Sequence, residues 1–303
     1  MRWAAAAALL LVTPLSAQIT RFSSRVDGVR VDVLVTEGRR SVSGLTASDF
    51  ELRDNGVVQR IADVSSETLP VNVICVLDAS GSVVGAPLIQ LQEAARSLFT
   101  SLAAGDRAAL VTFSHRVQLH TALTDDREKL RDLVESVRPA GATAFLDAVF
   151  GGLALRESDA GRTLLLLFTD GHDNASWLSA TEVLEALRHS DVVVYPVRSP
   201  RLRQTRPVIG GAFAPPSDGE AEDLLDALAD ASGGRVMEVE RGRSLASTFV
   251  AVLSEFRTRY VLSYTPTGVA DAGWHTVDVK LLRGSGQVKA RRGYVTTNAA
   301  PKR

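Results

Sequence analysis

The run Val71-Asn72-Val73-Ile74-Cys75-Val76-Leu77 ends at Asp78-Ala79-Ser80-Gly81-Ser82, so a stretch of strand formers gives way to one carboxylate and two hydroxyls at two-residue spacing. Two other segments carry similar groups. Thr143 stands in the Gly/Ala-rich stretch 138–144, ahead of a helical pattern, and Thr169-Asp170-Gly171-His172-Asp173-Asn174 follows the apolar run 163–168. The bland reading of the first segment is a strand that stops in a polar turn. The sharper reading pools two carboxylates with three hydroxyls. Hard cations such as Mg²⁺, Mn²⁺ and Ca²⁺ take oxygen ligands, and Mg²⁺ keeps several waters. A D-x-S-x-S turn can aim Asp78, Ser80 and Ser82 to one side. Neutral hydroxyls as direct ligands would leave the cation with excess positive charge, which favours an anionic ligand from outside, typically a carboxylate.

Whether these segments meet depends on the elements that carry them. Apolar strands are expected at 71–77, 108–113, 163–168, 191–197 and 235–239. Helical periodicity falls at 87–103, 126–137, 144–156, 179–189, 220–231 and 244–257. Near-continuous apolar strands alternating with amphipathic helices predict a doubly wound, mostly parallel α/β sheet covered by helices on both faces. Ligand sites of such sheets lie at the carboxyl ends of the strands, where all three polar segments fall. A short strand at 116–120 is expected to pair antiparallel at an edge.

The flanks read differently. Residues 18–68 alternate, as in Val29, Val31, Val33 and Val35, and carry a hairpin signal at Asp54-Asn55-Gly56. Alternation returns over 258–303. Each β zone is too small to fold well alone. The expectation is therefore an α/β domain over 69–257 inserted between β segments 18–68 and 258–303 that pack together as a β-sandwich.

With these residues in view, the chain resembles the von Willebrand factor type A domain of exported bacterial proteins, with its metal-ion-dependent adhesion site and Rossmann-like fold. The resemblance covers about 69–257, including Leu228–Val239. It rests on D-x-S-x-S after the first strand, a Thr in the loop before a middle helix, and T-D-G after the fourth strand. By that resemblance Asp78, Ser80, Ser82, Thr143 and Asp170 are metal-site residues. The serines and threonine are expected to coordinate directly or nearly so, and the aspartates largely through water. His172 and Asp173 are candidates for the rim, although such residues are more often solvated loop groups. The implied cofactor is a divalent cation, Mg²⁺ first, with Mn²⁺ or Ca²⁺ as alternatives. The implied partner is a protein bearing an exposed Asp or Glu.

Other chemistries have less behind them. A serine hydrolase could draw on Ser80, His115, His172 and Asp170, but the G-x-S-x-G elbow is absent and Asp78 stands where its first Gly should be. Phosphotransfer at a strand end usually has a second carboxylate two residues on, where Ser80 stands. Neither a Walker A loop nor G-x-G-x-x-G occurs. His115 and His120, expected on strands near the sheet edge, lack zinc-ligand spacing with each other or with Cys75. Arg198, Arg201, Arg203 and Arg206 form a basic loop, read as a solvated insertion or as a lip for an acidic partner.

The 303 residues carry a formal net charge of −1, which argues against general nucleic-acid binding. The single cysteine, Cys75, lies in an apolar strand and reads as a packing residue. Residues 1–17 read as a secretory signal cleaved near Ala17: Arg2, then an apolar core too short to span a bilayer, then small residues. No later stretch reads as a transmembrane anchor. The expected protein is periplasmic or extracellular and non-enzymatic, a cation-dependent binding module. The alternatives are a periplasmic scaffold or assembly factor with a structural metal and, with less support, a metal-dependent hydrolase.

Overall fold

The structure, a computed structural model, describes residues 28–66, 69–157, 161–198, 218–239 and 242–296. The signal segment 1–17 and Arg201, Arg203 and Arg206 lie outside the described residues.

Five strands come first: β1 (Val29–Glu37), β2 (Arg40–Ser41), β3 (Phe50–Asp54), β4 (Val57–Gln59) and β5 (Ile61–Ser66). Asn55 and Gly56, at φ +46° and +81°, form the turn joining β3 to β4, the left-handed pair that Asn-Gly adopts at low cost. The α/β part runs β6 (Val71–Asp78), α1 (Ala86–Thr100), β7 (Arg107–Phe113), β8 (Val117–Thr124), α2 (Arg127–Glu135), α3 (Phe145–Ala154), β9 (Arg162–Phe168), α4 (Ala180–Arg188), β10 (Val193–Arg198), α5 (Asp218–Ser232), β11 (Met237–Glu238) and α6 (Leu245–Arg257). Then come β12 (Tyr260–Tyr264), β13 (Gly273–Leu281), β14 (Gln287–Ala290) and β15 (Gly293–Thr296).

One sheet has the order β11-β10-β9-β6-β7-β8 and is parallel except for β8, which pairs antiparallel with β7 at the edge. β6 is buried along its whole length, and its alternate side chains serve two cores. Val73, Cys75 and Leu77 pack in the core that holds Leu98 of α1, Leu130 of α2 and Phe249 of α6. Ile74 and Val76 pack in the opposite one, with Val149 of α3, Val183 of α4 and Leu225 of α5. Burial on both faces explains why these strands read as continuous apolar runs.

The flanking strands make two antiparallel sheets, β14-β1-β12-β5 (with β2 on β1) and β15-β13-β3-β4. Each sheet draws strands from both ends of the chain: Val31 stands opposite Leu262, and Leu52 opposite Val279. Val31, Val33, Leu52, Leu262, Tyr264 and Val279 share one core between the sheets. The alternating stretch 288–296 is divided between two strands. β14 pairs with β1 and β15 with β13, so the chain crosses from one sheet to the other at Arg291-Arg292. Trp274 is 42% exposed, because alternation on β13 turns its neighbour His275 into the core instead. His115 lies in the turn before β8 and not on a strand, whereas His120 is on β8 and bonds Thr112 Oγ1 at 2.8 Å.

Charged residues join the sandwich to the base of the α/β part. Arg162 of β9 donates from Nε to Asp32 Oδ1 of β1 at 3.0 Å and from Nη2 to the Phe256 carbonyl at 2.9 Å. Arg259, fully buried between α6 and β12, donates to the Tyr195 hydroxyl at 3.0 Å and the Gly233 carbonyl at 2.7 Å. Among the described residues no helix is long and apolar enough to cross a membrane.

Candidate functional site

The centre of the parallel sheet is β6, flanked by β7 on one side and β9 on the other. The chain therefore leaves β6 in one direction and later returns to its other side, which opens a crevice at the carboxyl ends of β6 and β9. Asp78 is the last residue of β6, and Asp170 stands two residues past the end of β9.

Asp78 is fully buried. Its Oδ1 accepts from the Ser80 amide at 2.8 Å, which closes the turn and starts the short 3₁₀ segment Gly81–Val83. Its Oδ2 is buried without a hydrogen-bond partner. Burial pushes the Asp78 carboxyl up to about 7, with the charge of Asp170 acting in the same direction; contacts with Ser80 and Thr169 oppose them. The hydroxyls of Ser80 and Ser82 lie 2.9 Å apart, so the two-residue spacing does bring them to one side. Ser80 is buried and Ser82 exposed, which runs the group from the sheet end out to solvent.

Backbone bonds lace the Thr143 loop to both neighbours. The Ala140 amide donates to the Ala79 carbonyl at 2.9 Å and the Gly81 amide to the Gly141 carbonyl at 3.0 Å. From the other side, the Asn174 and Ala175 amides donate to the Thr143 carbonyl at 3.0 and 3.1 Å, and Asn174 Oδ1 accepts from the Thr143 amide at 2.8 Å. Gly141 sits at φ +71°, and a Cβ there would come within 2.4 Å of His115 Nδ1. That close approach brings His115 up against the Thr143 loop, a placement its position in the sequence does not signal.

The structure thus brings the Asp78-Ser80-Ser82 turn, the Thr143 loop and the Asp170 loop to one end of the sheet. Of the two rim candidates, His172 lies beside Asp170, with its Nδ1 3.4 Å from Asp170 Oδ1. Asp173 is engaged in holding helix α3: it accepts from the Leu146 amide at 2.9 Å, the Ser176 hydroxyl at 2.6 Å and the Ser176 amide at 3.1 Å. Two contributors had no part in the sequence-based set. Thr169, fully buried, accepts from the Gly171 amide at 3.0 Å and touches Asp78. Asn174 fixes Thr143 across a gap of 31 residues. The threonine could have been noticed in Thr-Asp-Gly; nothing local to Asn174 announces its distant partner.

The residues present suit a hard cation. At a buried strand end, the charge of Asp170 adds to the cost of ionising Asp78, one Asp78 oxygen has no hydrogen-bond partner, and hydroxyls stand nearby. Among the described residues no three His, Cys, Asp or Glu come together, so any ion held at this end would draw on Ser and Thr oxygens as well.

Residues 73–172 match the family model described as the von Willebrand factor type A domain. Inter-alpha-trypsin inhibitor heavy chain H2 of Sus scrofa is 25% identical over 158 residues, covering 48% of this chain and 17% of that protein. The Synechocystis protein sll0103 is 28% identical over 152 residues, covering 48% of this chain and 35% of that one. The chain therefore matches well under half the length of either relative. A solved von Willebrand factor type A protein from Catenulispora acidiphila aligns over 88% of this chain and 76% of its own length, with a TM-score of 0.51 at 14% identity, which is a likeness of fold. Residues 73–172 thus match the von Willebrand factor type A family, and the α/β part as a whole has a von Willebrand factor type A-like fold.

Proposed function

We propose that this chain is an exported, non-enzymatic protein-binding module whose α/β domain holds a divalent cation, Mg²⁺ first, and presents it to an acidic side chain of a partner protein. Ser80, Ser82 and Thr143 would hold the ion through their hydroxyls, and Asp78 and Asp170 would supply the compensating charge. When bound, the cation offers a Lewis-acidic position to an incoming carboxylate. The protein's own part is to keep the hydroxyls in place and Asp78 buried at the strand end. The observation that carries this reading is the fully buried Asp78 with its unpartnered Oδ2 beside Asp170. Export rests on the leader-like composition of residues 1–17, and sequencing the N-terminus of the protein recovered from the cell envelope checks it.

A thermal-shift titration with Mg²⁺, Mn²⁺ and Ca²⁺ tests the site, because a ligand of the folded state raises apparent stability by mass action. The expected result is a concentration-dependent rise of the melting temperature with at least one of these ions, which Asp78→Ala and Asp170→Ala both abolish. An equal rise in wild type and variants, or none in any of them, rejects the site. A chelator that leaves the fold intact supports a binding role; one that unfolds the protein points to a structural metal.

A further inference from the structure

Trp177 is 95% exposed, the most exposed of the large apolar side chains among the described residues. Its backbone is nevertheless fixed. The Trp177 amide donates to both oxygens of Asp147 at 3.1 Å, the Leu178 amide to Asp147 Oδ1 at 3.0 Å, and the Asp147 amide to Ser176 Oγ at 3.1 Å. Asp147 lies in the first turn of α3, directly after the Thr143 loop, and the segment bearing Trp177 is the one that supplies Asp170 and clamps Thr143 through Asn174. A second exposed apolar side chain, Val84 at 62%, follows Ser82 by two residues on the loop that leaves β6. The two loops that carry Ser82 and Asp170 thus each bear an exposed apolar side chain, one of them a tryptophan on an anchored backbone.

An exposed indole held on a fixed backbone is a common anchor of protein interfaces, since it offers large contact area for few frozen torsions. From this arrangement we propose that Trp177, with Val84, forms an apolar rim that selects the partner: the acidic residue reaching the cation stands next to a large apolar side chain that packs on the Trp177 indole. The charge of the ion selects the carboxylate, and the rim selects its neighbour. This inference rests on the cation reading above. Trp177 is a specificity determinant and takes no part in holding the ion.

The test uses the full chain in saturating Mg²⁺ and two short blocked peptides, one with Phe beside Asp and one with Gly beside Asp, their binding followed by calorimetry. Wild type is expected to prefer the Phe-Asp peptide by about tenfold, the scale of a modest interface anchor. Trp177→Ala should bring the two peptides to equal affinity while keeping the Mg²⁺-induced thermal shift, and Trp177→Phe should restore most of the preference. Equal affinities in wild type, a preference that survives Trp177→Ala, or no binding of either peptide each overturn the rim proposal. The Mg²⁺ thermal shift reads the underlying site separately, so loss of that shift in wild type marks failure of the cation reading itself. Phosphatidylglycerol vesicles that bind equally with and without Mg²⁺ through Trp177 would assign the indole to a lipid surface instead and overturn the proposal.

Discussion

At Asp78, burial and the charge of Asp170 act together, and the sign of their effect on stability follows from linkage. The carboxyl is raised from an ordinary 3.8 to about 7, so the folded metal-free protein holds this proton over a range where the unfolded chain has lost it. The stabilisation is fully present below about pH 3.8 and is lost as pH rises through about 7. In chelator, wild type should lose on the order of a few kcal/mol from this group between those limits, a slope that Asp78→Asn should flatten. Denaturant unfolding at a series of pH values reads both curves. The same proton competes with a cation, so Mg²⁺ affinity should weaken as pH falls below about 7. An affinity independent of pH between 5 and 8 contradicts the assignment of Asp78 to the ion. At this scale much was legible beforehand. Asp78, Ser80 and Ser82 are local in sequence, and their two-residue spacing translates into a turn with hydroxyls 2.9 Å apart.

At the scale of elements, the loop carrying Thr143 depends on Gly141. Its φ of +71° disfavours any side chain, and a Cβ would meet the His115 ring. Gly141→Ala should cost roughly 1–3 kcal/mol and weaken cation binding by shifting Thr143. Adding His115→Ala should recover the steric share and leave the backbone strain, which melting curves with and without Mg²⁺ can separate. The boundaries of the parallel strands were readable to within a few residues, because burial on both faces leaves continuous apolar runs. The break between β14 and β15 was not, since both halves alternate alike and only pairing with β1 or β13 decides where the chain crosses. The role of Asp173 was equally hidden: beside Asp170 it reads as a rim candidate or a solvated loop group, whereas the Leu146 amide and Ser176 engage it.

At the scale of the whole molecule, the two chain ends are tied by a buried polar cluster inside the sandwich. Asp54 of β3 accepts from the hydroxyls of Tyr264 at 2.9 Å and Tyr294 at 2.7 Å, and its Oδ1 lies 2.8 Å from His275 Nδ1. Asp54→Ala leaves these groups without their acceptor and should destabilise the protein by roughly 2–5 kcal/mol, measured by denaturant unfolding. The pairing also bears on how the chain divides. β1 finds its main partners, β12 and β14, on the far side of the α/β part. A fragment of residues 18–68 is therefore expected to stay unfolded alone, and one of 69–257 to keep its helical circular dichroism. A folded 18–68 fragment would contradict this division.

The amino-acid sequence by itself determined the alternation of strand and helix, the parallel sheet and the polar residues at its carboxyl ends, because burial pattern and turn chemistry are local properties. It also contained the Asp78-Ser80-Ser82 turn almost complete. Tertiary structure alone decided that Asn174 would hold Thr143, that His115 would lie against Gly141, that Asp78 would keep an unpartnered oxygen beside Asp170, and that Trp177 would stand in water on an anchored loop. Each of these joins residues distant in sequence, so their spacing along the chain carries no signal of the contact.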